Sequence, residues 1–142
     1  MHAWTGNILK VDLTTGSAQC EQIPRDLLLS YLGGRGLGVR LMREHFHLDP
    51  LHPEIPLIFA VGPLCGTPAP TAARMAVVSR SPLTGTIYDC SAGGRFAWRL
   101  KAAGYDALFV TGRSSAPCVL SVTSQRATLA PAGALWGKTT FE

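Results

Sequence analysis

Arg74 is the residue in this chain that is best suited to hold a charged ligand. It follows four compact residues, Pro70–Ala73, and leads directly into an apolar run, Met75–Val78. Compact residues leave room for a ligand, and the planar guanidinium of arginine suits a phosphate or the polar edge of a ring. We therefore predict that Arg74 binds an anionic group at the mouth of a strand, the alternative being a surface cap.

A second candidate lies between Asp89 and Gly94, where a strand is expected to end and a helix to begin. Free backbone N–H groups at a helix start favour an anion, and the carbonyl groups just before it could bind a cation that neutralises that anion. The Gly93-Gly94 pair would allow close approach of a ligand to the backbone. Arg95 would add positive charge there, unless it is simply a solvated residue of the first helical turn.

Other patterns in the sequence do not support a dinucleotide-binding site, a metal site or a catalytic residue. Gly34-Arg35-Gly36-Leu37-Gly38 resembles a dinucleotide fingerprint, but it follows a predicted helix, whereas that fingerprint must follow a strand. A helix–turn–helix corner explains it better. His45, His47 and His52 have spacing that could hold a metal, but they lie in or beside a proline-rich surface loop, so we interpret them as solvated side chains. No paired carboxylates and no nucleophile motif were found, so the chain has no evident general acid or base.

The four cysteines are too far apart in sequence for a structural zinc site or an ordinary iron–sulfur motif. We expect free, mostly buried thiols in a reducing compartment. The four positions are Cys20, Cys65, Cys90 and Cys118.

The elements that must position these residues are predicted from periodicity and turn residues. A hairpin is expected first, then two helices that meet at Gly33-Gly34, a rigid proline loop, a series of short strands, and one helix that Gly104 ends. The strands are predicted at 7–13, 18–23, 57–61, 75–79, 86–88, 108–111, 119–123 and 127–129, and the helices at 25–32, 37–46 and 93–103. This pattern indicates an α+β fold, a β-rich base with antiparallel or mixed sheets and a few short helices.

Composition limits the function classes. Of the residues, 46% are hydrophobic and 15% charged, which argues against disorder and suggests a surface that faces a partner. The net charge of +4 is scattered rather than clustered, so nucleic acid is not favoured as a partner. We see neither a signal peptide nor an apolar run long enough to span a bilayer, and we therefore expect a cytoplasmic protein with no membrane partner.

Several longer motifs, taken in order, resemble the N-terminal domain of the tungsten-containing aldehyde ferredoxin oxidoreductases. The resemblance covers nearly the whole chain and begins with the first hairpin and the glycine-rich corner, Leu32–Gly38. The most specific matches are Gly62-Pro63-Leu64 with Gly66-Thr67 and Ala69-Pro70-Thr71, Ser81–Gly85, Leu100-Lys101 with Ala103–Asp106, and Leu135–Lys138.

The resemblance implies a β-rich base for a tungsten (or molybdenum) ion that two pterin dithiolenes bind. It implies oxidation of an aldehyde to a carboxylate, with electrons passing through a [4Fe–4S] cluster to ferredoxin. By the same resemblance, Arg74 lies between pterin and cluster, the backbone carbonyl of Ser91 helps to hold a magnesium ion that bridges the pterin phosphates, and Gly93 and Gly94 lie against the cofactor. Further domains or a companion subunit, in an oligomer, would supply the cluster ligands and the acid and base residues.

The chain departs from the family pattern at three site positions. Ser91 replaces an asparagine, Ala92 a common serine and Arg95 a common aromatic residue; a backbone carbonyl survives the first change. We also expect residues 1–142 to be an incomplete N-terminal domain that neither holds a cluster nor turns over alone. The alternatives are a non-catalytic module that binds a phosphorylated small molecule, and an inactive remnant.

Overall fold

The fold is built around a mixed six-stranded sheet, with a separate two-stranded hairpin. The computed structural model describes residues 3–139 and 141. In chain order the strands are β1 (Asn7–Asp12), β2 (Ser17–Gln22), β3 (Leu57–Val61), β4 (Met75–Arg80), β5 (Ile87–Ala92), β6 (Ala107–Thr111), β7 (Cys118–Val122) and β8 (Ala127–Pro131). The helices are α1 (Arg25–Tyr31), α2 (Gly34–Met42) and α3 (Arg95–Ala102), and a short 3-10 turn spans Arg43–His45. The predicted β-rich α+β class is confirmed.

The strand order of the large sheet is β2-β1-β6-β3-β4-β5, and β7 pairs with β8 in the small sheet. Strand β6 lies parallel to β1 and antiparallel to β3, whereas every other pair in the large sheet is antiparallel. The late strand β6 therefore joins the N-terminal hairpin to the β3–β5 meander, and β2 and β5 form the two edges.

Side chains alternate between the two faces of the sheet, so each face has its own core. On one face, Ile58, Ala76 and Phe109 pack with Leu28 of α1 and with Leu37 and Met42 of α2. On the other face, residues such as Val11 and Leu108 pack with Ala97 and Leu100 of α3 and contact the β7–β8 hairpin. Helices α1 and α2 thus lie on the opposite side of the sheet from α3.

Several element boundaries differ from the sequence prediction. Helix α2 begins at Gly34 rather than at Leu37, so the glycines form its first turns instead of a loop. Helix α1 ends when Leu32 adopts a left-handed backbone with φ of +61°, a conformation that was expected of glycine. Strand β5 is longer than predicted and includes Ser91 and Ala92. No helix among the described residues is long and apolar enough to cross a membrane.

The cysteine and histidine predictions need correction. All four cysteines are free, but only Cys65 is buried; Cys20 and Cys90 are exposed and Cys118 is half-buried. Two of these thiols lie on the edge strands β2 and β5, which leave one side of the strand open. Among the histidines, His47 and His52 are exposed as expected, whereas His45 is half-buried with its ring centroid 5.4 Å from that of Phe109.

Candidate functional site

A concavity of about 370 Å³ lies where the α1–α2 corner meets the ends of three strands. The lining residues come from the corner, from the segment just after β3, from the start of β4 and from the end of β5. We call this concavity the seat. Its lining residues are Leu32, Gly33, Gly34, Arg35, Gly62, Pro63, Arg74, Met75, Ala76 and Ser91.

The glycine at position 33 is what allows the corner to approach the sheet. A Cβ atom there would lie 2.5 Å from the carbonyl oxygen of Val61, and the φ of +144° is unfavourable for any residue with a side chain. The same hypothetical Cβ atom would lie 3.1 Å from the Cα atom of Gly62. The seat therefore exists because backbone packs directly on backbone at the end of β3.

Arg74 lies in the seat, immediately before β4, as the sequence predicted. Its side chain is exposed, and within residues 3–139 and 141 no hydrogen bond or ion pair engages its guanidinium. Arg74 also lines an adjoining concavity of about 270 Å³ with Pro63, Leu64 and Cys65. An arginine that borders two concavities without a protein partner retains all five of its donors for a ligand.

The loop before Arg74 carries backbone strain. Thr71, which lines the adjoining concavity, has a φ of +58°. A β-branched residue rarely adopts this left-handed conformation, which costs on the order of 1–3 kcal/mol and occurs preferentially at ligand sites. The strain supports a binding role for this loop.

Ser91 lies in the seat with Arg74, near the end of the edge strand β5. Its register partner is Ala76, and Asp89 pairs with Val78. Hydrogen-bonded and non-hydrogen-bonded pairs alternate along an antiparallel ladder. At the β4–β5 turn, Ser81 N donates to Thr86 O, so Ser81 and Thr86 form a hydrogen-bonded pair. Counting along the ladder from that pair in steps of two residues, the Ala76–Ser91 pair is a non-hydrogen-bonded one. The Ser91 carbonyl therefore faces the open edge of β5, away from β4, where it could accept a further ligand.

The remaining predicted site residues continue from β5 into α3 and are not among those that line the seat. Ala92 is the last residue of β5, and Gly94 precedes α3 with a φ of +103°. A Cβ atom at Gly93 or Gly94 would meet nothing within 4 Å, so the backbone there is open to a large ligand. Arg95 is exposed at the start of α3.

The sequence analysis assigns no role to Arg35, which also lines the seat. Its Nε atom donates to Oδ2 of Asp89 at 2.6 Å, which joins the start of α2 to the edge strand. The surrounding glycines predict a helix–turn–helix corner and indicate no role for the arginine. The sequence signal that could have identified it is an arginine between two glycines, Gly34 and Gly36, because glycines have no side chains that could cover the guanidinium.

Metal-ligating side chains do not gather in this region. Among residues 3–139 and 141 there is no group of three or more His, Cys, Asp or Glu side chains that could hold a metal ion. Cys65, which lines the concavity next to the seat, is buried, and this burial raises the pKa of its thiol although Lys101 partly opposes the change. A protonated thiol is a poor nucleophile and a poor metal ligand.

A different concavity, which we call the apolar groove, lies on the other side of the sheet. It measures about 390 Å³ and is bounded by the sheet, α3 and the β7–β8 hairpin. Its walls include Phe59, Phe96, Leu108 and Leu120, with Arg99 and Cys118 also lining it. Apart from Arg99 and Cys118, the residues that line the groove are apolar, whereas glycines, two arginines and a serine line the seat.

Comparison with known proteins identifies the relatives of this chain. The family described as "Aldehyde ferredoxin oxidoreductase, N-terminal domain" matches residues 8–142. A tungsten-containing aldehyde ferredoxin oxidoreductase of Pyrococcus furiosus is 40% identical over the whole chain, which covers 24% of that relative. An aliphatic sulfonate oxidoreductase WOR-like subunit from the same organism is 30% identical over 96% of the chain and 22% of its own length.

A solved structure agrees in fold. The active site complex BamBC of benzoyl coenzyme A reductase, in complex with 1,5-dienoyl-CoA, contains a chain that superposes with a TM-score of 0.94 and 35% identity. That match covers 99% of this chain and 22% of the other. The chain thus spans about a quarter of the length of the relatives that it matches. It belongs to the aldehyde ferredoxin oxidoreductase family, within the part that the family defines as its N-terminal domain.

Proposed function

We propose that this chain is part of the cofactor-binding base of a tungsten-containing oxidoreductase, and that the seat holds the phosphate-bearing side of a metal pterin. The observation that carries the proposal is the concavity that Arg74 and Ser91 share, where a cation without a partner among the described residues and a backbone carbonyl on an open strand edge line the same space. Relatives at 38–40% identity are named tungsten-containing enzymes, which supports the choice of metal. Molybdenum is the other metal that such a pterin would carry.

The residues of the seat fit such a group. The guanidinium of Arg74 would bind a phosphate or the polar edge of a pterin ring. The Ser91 carbonyl would be one oxygen ligand of a magnesium ion between phosphates, since magnesium prefers oxygen ligands and tolerates the replacement of asparagine by serine at a backbone contact. Gly93 and Gly94 would allow close approach, and Ala92 and Arg95 would flank the contact.

The proposed reaction is the oxidation of an aldehyde with water to a carboxylate, which releases two electrons and three protons. When bound, the metal pterin would supply the two-electron chemistry. This chain would bind and orient the cofactor, and it would contribute no acid or base. A [4Fe–4S] cluster and ferredoxin would accept the electrons, both held outside these residues, and a cytoplasmic, oligomeric enzyme is part of the same proposal.

The proposed partner is the polypeptide that makes up the remaining three quarters of the relatives, whether it is linked or separate. The apolar groove provides a surface for it, because it is walled by apolar side chains and lies between the sheet and the β7–β8 hairpin. Leu135 and Trp136, just after β8, are also strongly exposed. Burial of these surfaces would stabilise the assembly by the hydrophobic effect.

Co-expression tests this function. The chain is produced together with the region of the Pyrococcus furiosus relative that follows the matched quarter, and tungsten, molybdenum, magnesium and pterin are quantified in the purified complex. We expect about two pterins and one tungsten or molybdenum per complex, and Arg74→Gln should lower the pterin content at least about tenfold, as expected for loss of a charged hydrogen bond.

The matched control is Arg43→Gln, because Arg43 is an exposed arginine at the opposite end of α2 from the seat. It should leave the pterin content unchanged. A complex that forms but holds neither pterin nor metal would contradict the proposal and favour a module without redox chemistry. An equal loss in both variants would show that Arg74 has no specific role.

A further inference from the structure

Arg35 is a second cation that lines the seat, although it is far from Arg74 in sequence. It is the second residue of α2, and its side chain is 68% exposed even while Nε is bonded to Asp89. The Asp89 carboxylate is only 23% exposed and lies on β5, two residues before Ser91. Two elements that are remote in sequence, α2 and β5, are thus joined at the rim of the seat.

The geometry of this ion pair leaves part of Arg35 available. Asp89 engages Nε, and among the described residues no bond involves either terminal nitrogen of Arg35. A guanidinium that is fixed through Nε loses less conformational entropy when its terminal nitrogens bind an anion. The pair therefore orients Arg35 and leaves the donors of its two terminal nitrogens available.

The backbone is open at two glycines of the seat. A Cβ atom at Gly34 or Gly62 would meet nothing within 4 Å, although both glycines line the seat. No side chain therefore fills the space next to the backbone at these two positions. The two cations outnumber the single carboxylate, so the seat carries a net positive charge of one.

We propose that Arg35 is a second anion-binding residue of the seat, and that Arg35 and Arg74, at the starts of α2 and β4, bind a diphosphate or a pair of phosphates together. This inference rests on the proposed function in placing the ligand in the seat, but it assigns a contact to a residue on a different element. It predicts that the chain recognises the phosphate portion of the ligand by itself.

Titration with inorganic pyrophosphate tests the inference on the isolated chain. Binding is followed by calorimetry and by the arginine Nε–Hε signals in NMR spectra at low ionic strength. We expect Arg35→Gln to weaken binding by about tenfold to a hundredfold, as for loss of a charge-assisted contact. Arg35→Lys should restore part of the affinity, because it keeps the charge and loses the planar fork. The Arg43→Gln control should bind as the wild type does.

The outcomes separate the two proposals. If Arg74→Gln loses binding while Arg35→Gln binds normally, the inference on Arg35 is wrong and the seat stands. If no variant and no wild-type sample binds pyrophosphate, the inference is also wrong, and pterin content in the co-expressed complex still decides the proposed function. Loss of folding is excluded by thermal unfolding, since breaking an ion pair whose arginine is largely exposed should shift the midpoint by no more than about 4 °C.

Discussion

We expect the partly buried ring of His45 to make the stability of the fold depend on pH. Burial against the sheet, where the ring packs on Phe109, lowers the pKa of His45 from its usual value of 6.5. The carboxylates of Glu44 and Glu54 oppose this shift, whereas His47 and Lys10 add to it. The folded state therefore binds the His45 proton less readily than the unfolded state does.

The direction of the effect follows from this difference. Above about pH 6.5 His45 is neutral in both states and its packing is fully available. As pH falls through that value, the unfolded state takes up the proton first, so we expect the free energy of unfolding to decrease. Urea unfolding at about pH 7.5 and about pH 5.5 measures the change, in a range above the acidic titration of Glu44, whose pKa Arg40 lowers further.

A substitution isolates the histidine. His45→Phe keeps an aromatic ring against Phe109 and should reduce the pH dependence, whereas His47→Gln, at an exposed neighbour, should retain it. An unchanged dependence in the His45→Phe protein would assign the effect to other groups.

At the residue scale, two arginines line the seat, and the sequence singled out one of them, Arg74, whose binding role stays a prediction. Arg74 was recognisable because its local context, small residues before and an apolar strand after, indicates a side chain with space around it. Arg35 was not, because its position beside β5 depends on a contact with Asp89 across 54 positions of sequence. Local spacing contains no information on which side of the sheet α2 packs, and that side decides which arginine enters the seat.

At the scale of elements, local signals predicted the N-terminal hairpin, all three helices and the existence of each strand. The local signals did not predict which strands pair with one another in the sheet. Strand β6 inserts between β1 and β3 and is parallel to the first, although all three were expected simply as strands. Parallel pairing needs a long connection and shows no turn signature, so only the tertiary structure reveals it.

The α3–β6 junction depends on a buried ion pair. Asp106 is completely buried, and its Oδ2 accepts the backbone N–H of Gly6 at 2.7 Å while its Oδ1 is bonded to Lys101 Nζ. The carboxylate thus joins the end of α3 to the residue before β1. Removal of one partner of a buried pair leaves the other charge and the amide without partners.

We therefore expect Asp106→Ala to destabilise the protein by about 3–5 kcal/mol, measured by chemical unfolding. Glu21→Ala provides the comparison, because it breaks the Lys10–Glu21 pair, whose side chains are 44% and 45% exposed. That change should cost no more than about 1 kcal/mol. Equal costs for the two substitutions would contradict a special role for Asp106.

At the scale of the whole molecule, the two faces of the sheet have different surroundings. One face is covered by α1 and α2 and carries the seat at its rim. The other is only partly covered by α3 and the β7–β8 hairpin, which leave the apolar groove between them. A chain that covers a quarter of its relatives and exposes such a groove is expected to bind further polypeptide there.

Thiol reactivity measures whether that polypeptide covers the groove. Cys118 lines the groove and is half-buried, whereas Cys20 is exposed on the edge strand β2, on a different sheet. In the isolated chain we expect both thiols to react with N-ethylmaleimide. In the complex with the remaining region of the Pyrococcus furiosus relative, the alkylation rate of Cys118, followed by mass spectrometry, should fall at least about tenfold, because apolar contact excludes reagent and water. Cys20 provides the internal measure of reagent activity, and a Cys118 thiol that reacts equally fast in both samples would contradict docking in the groove.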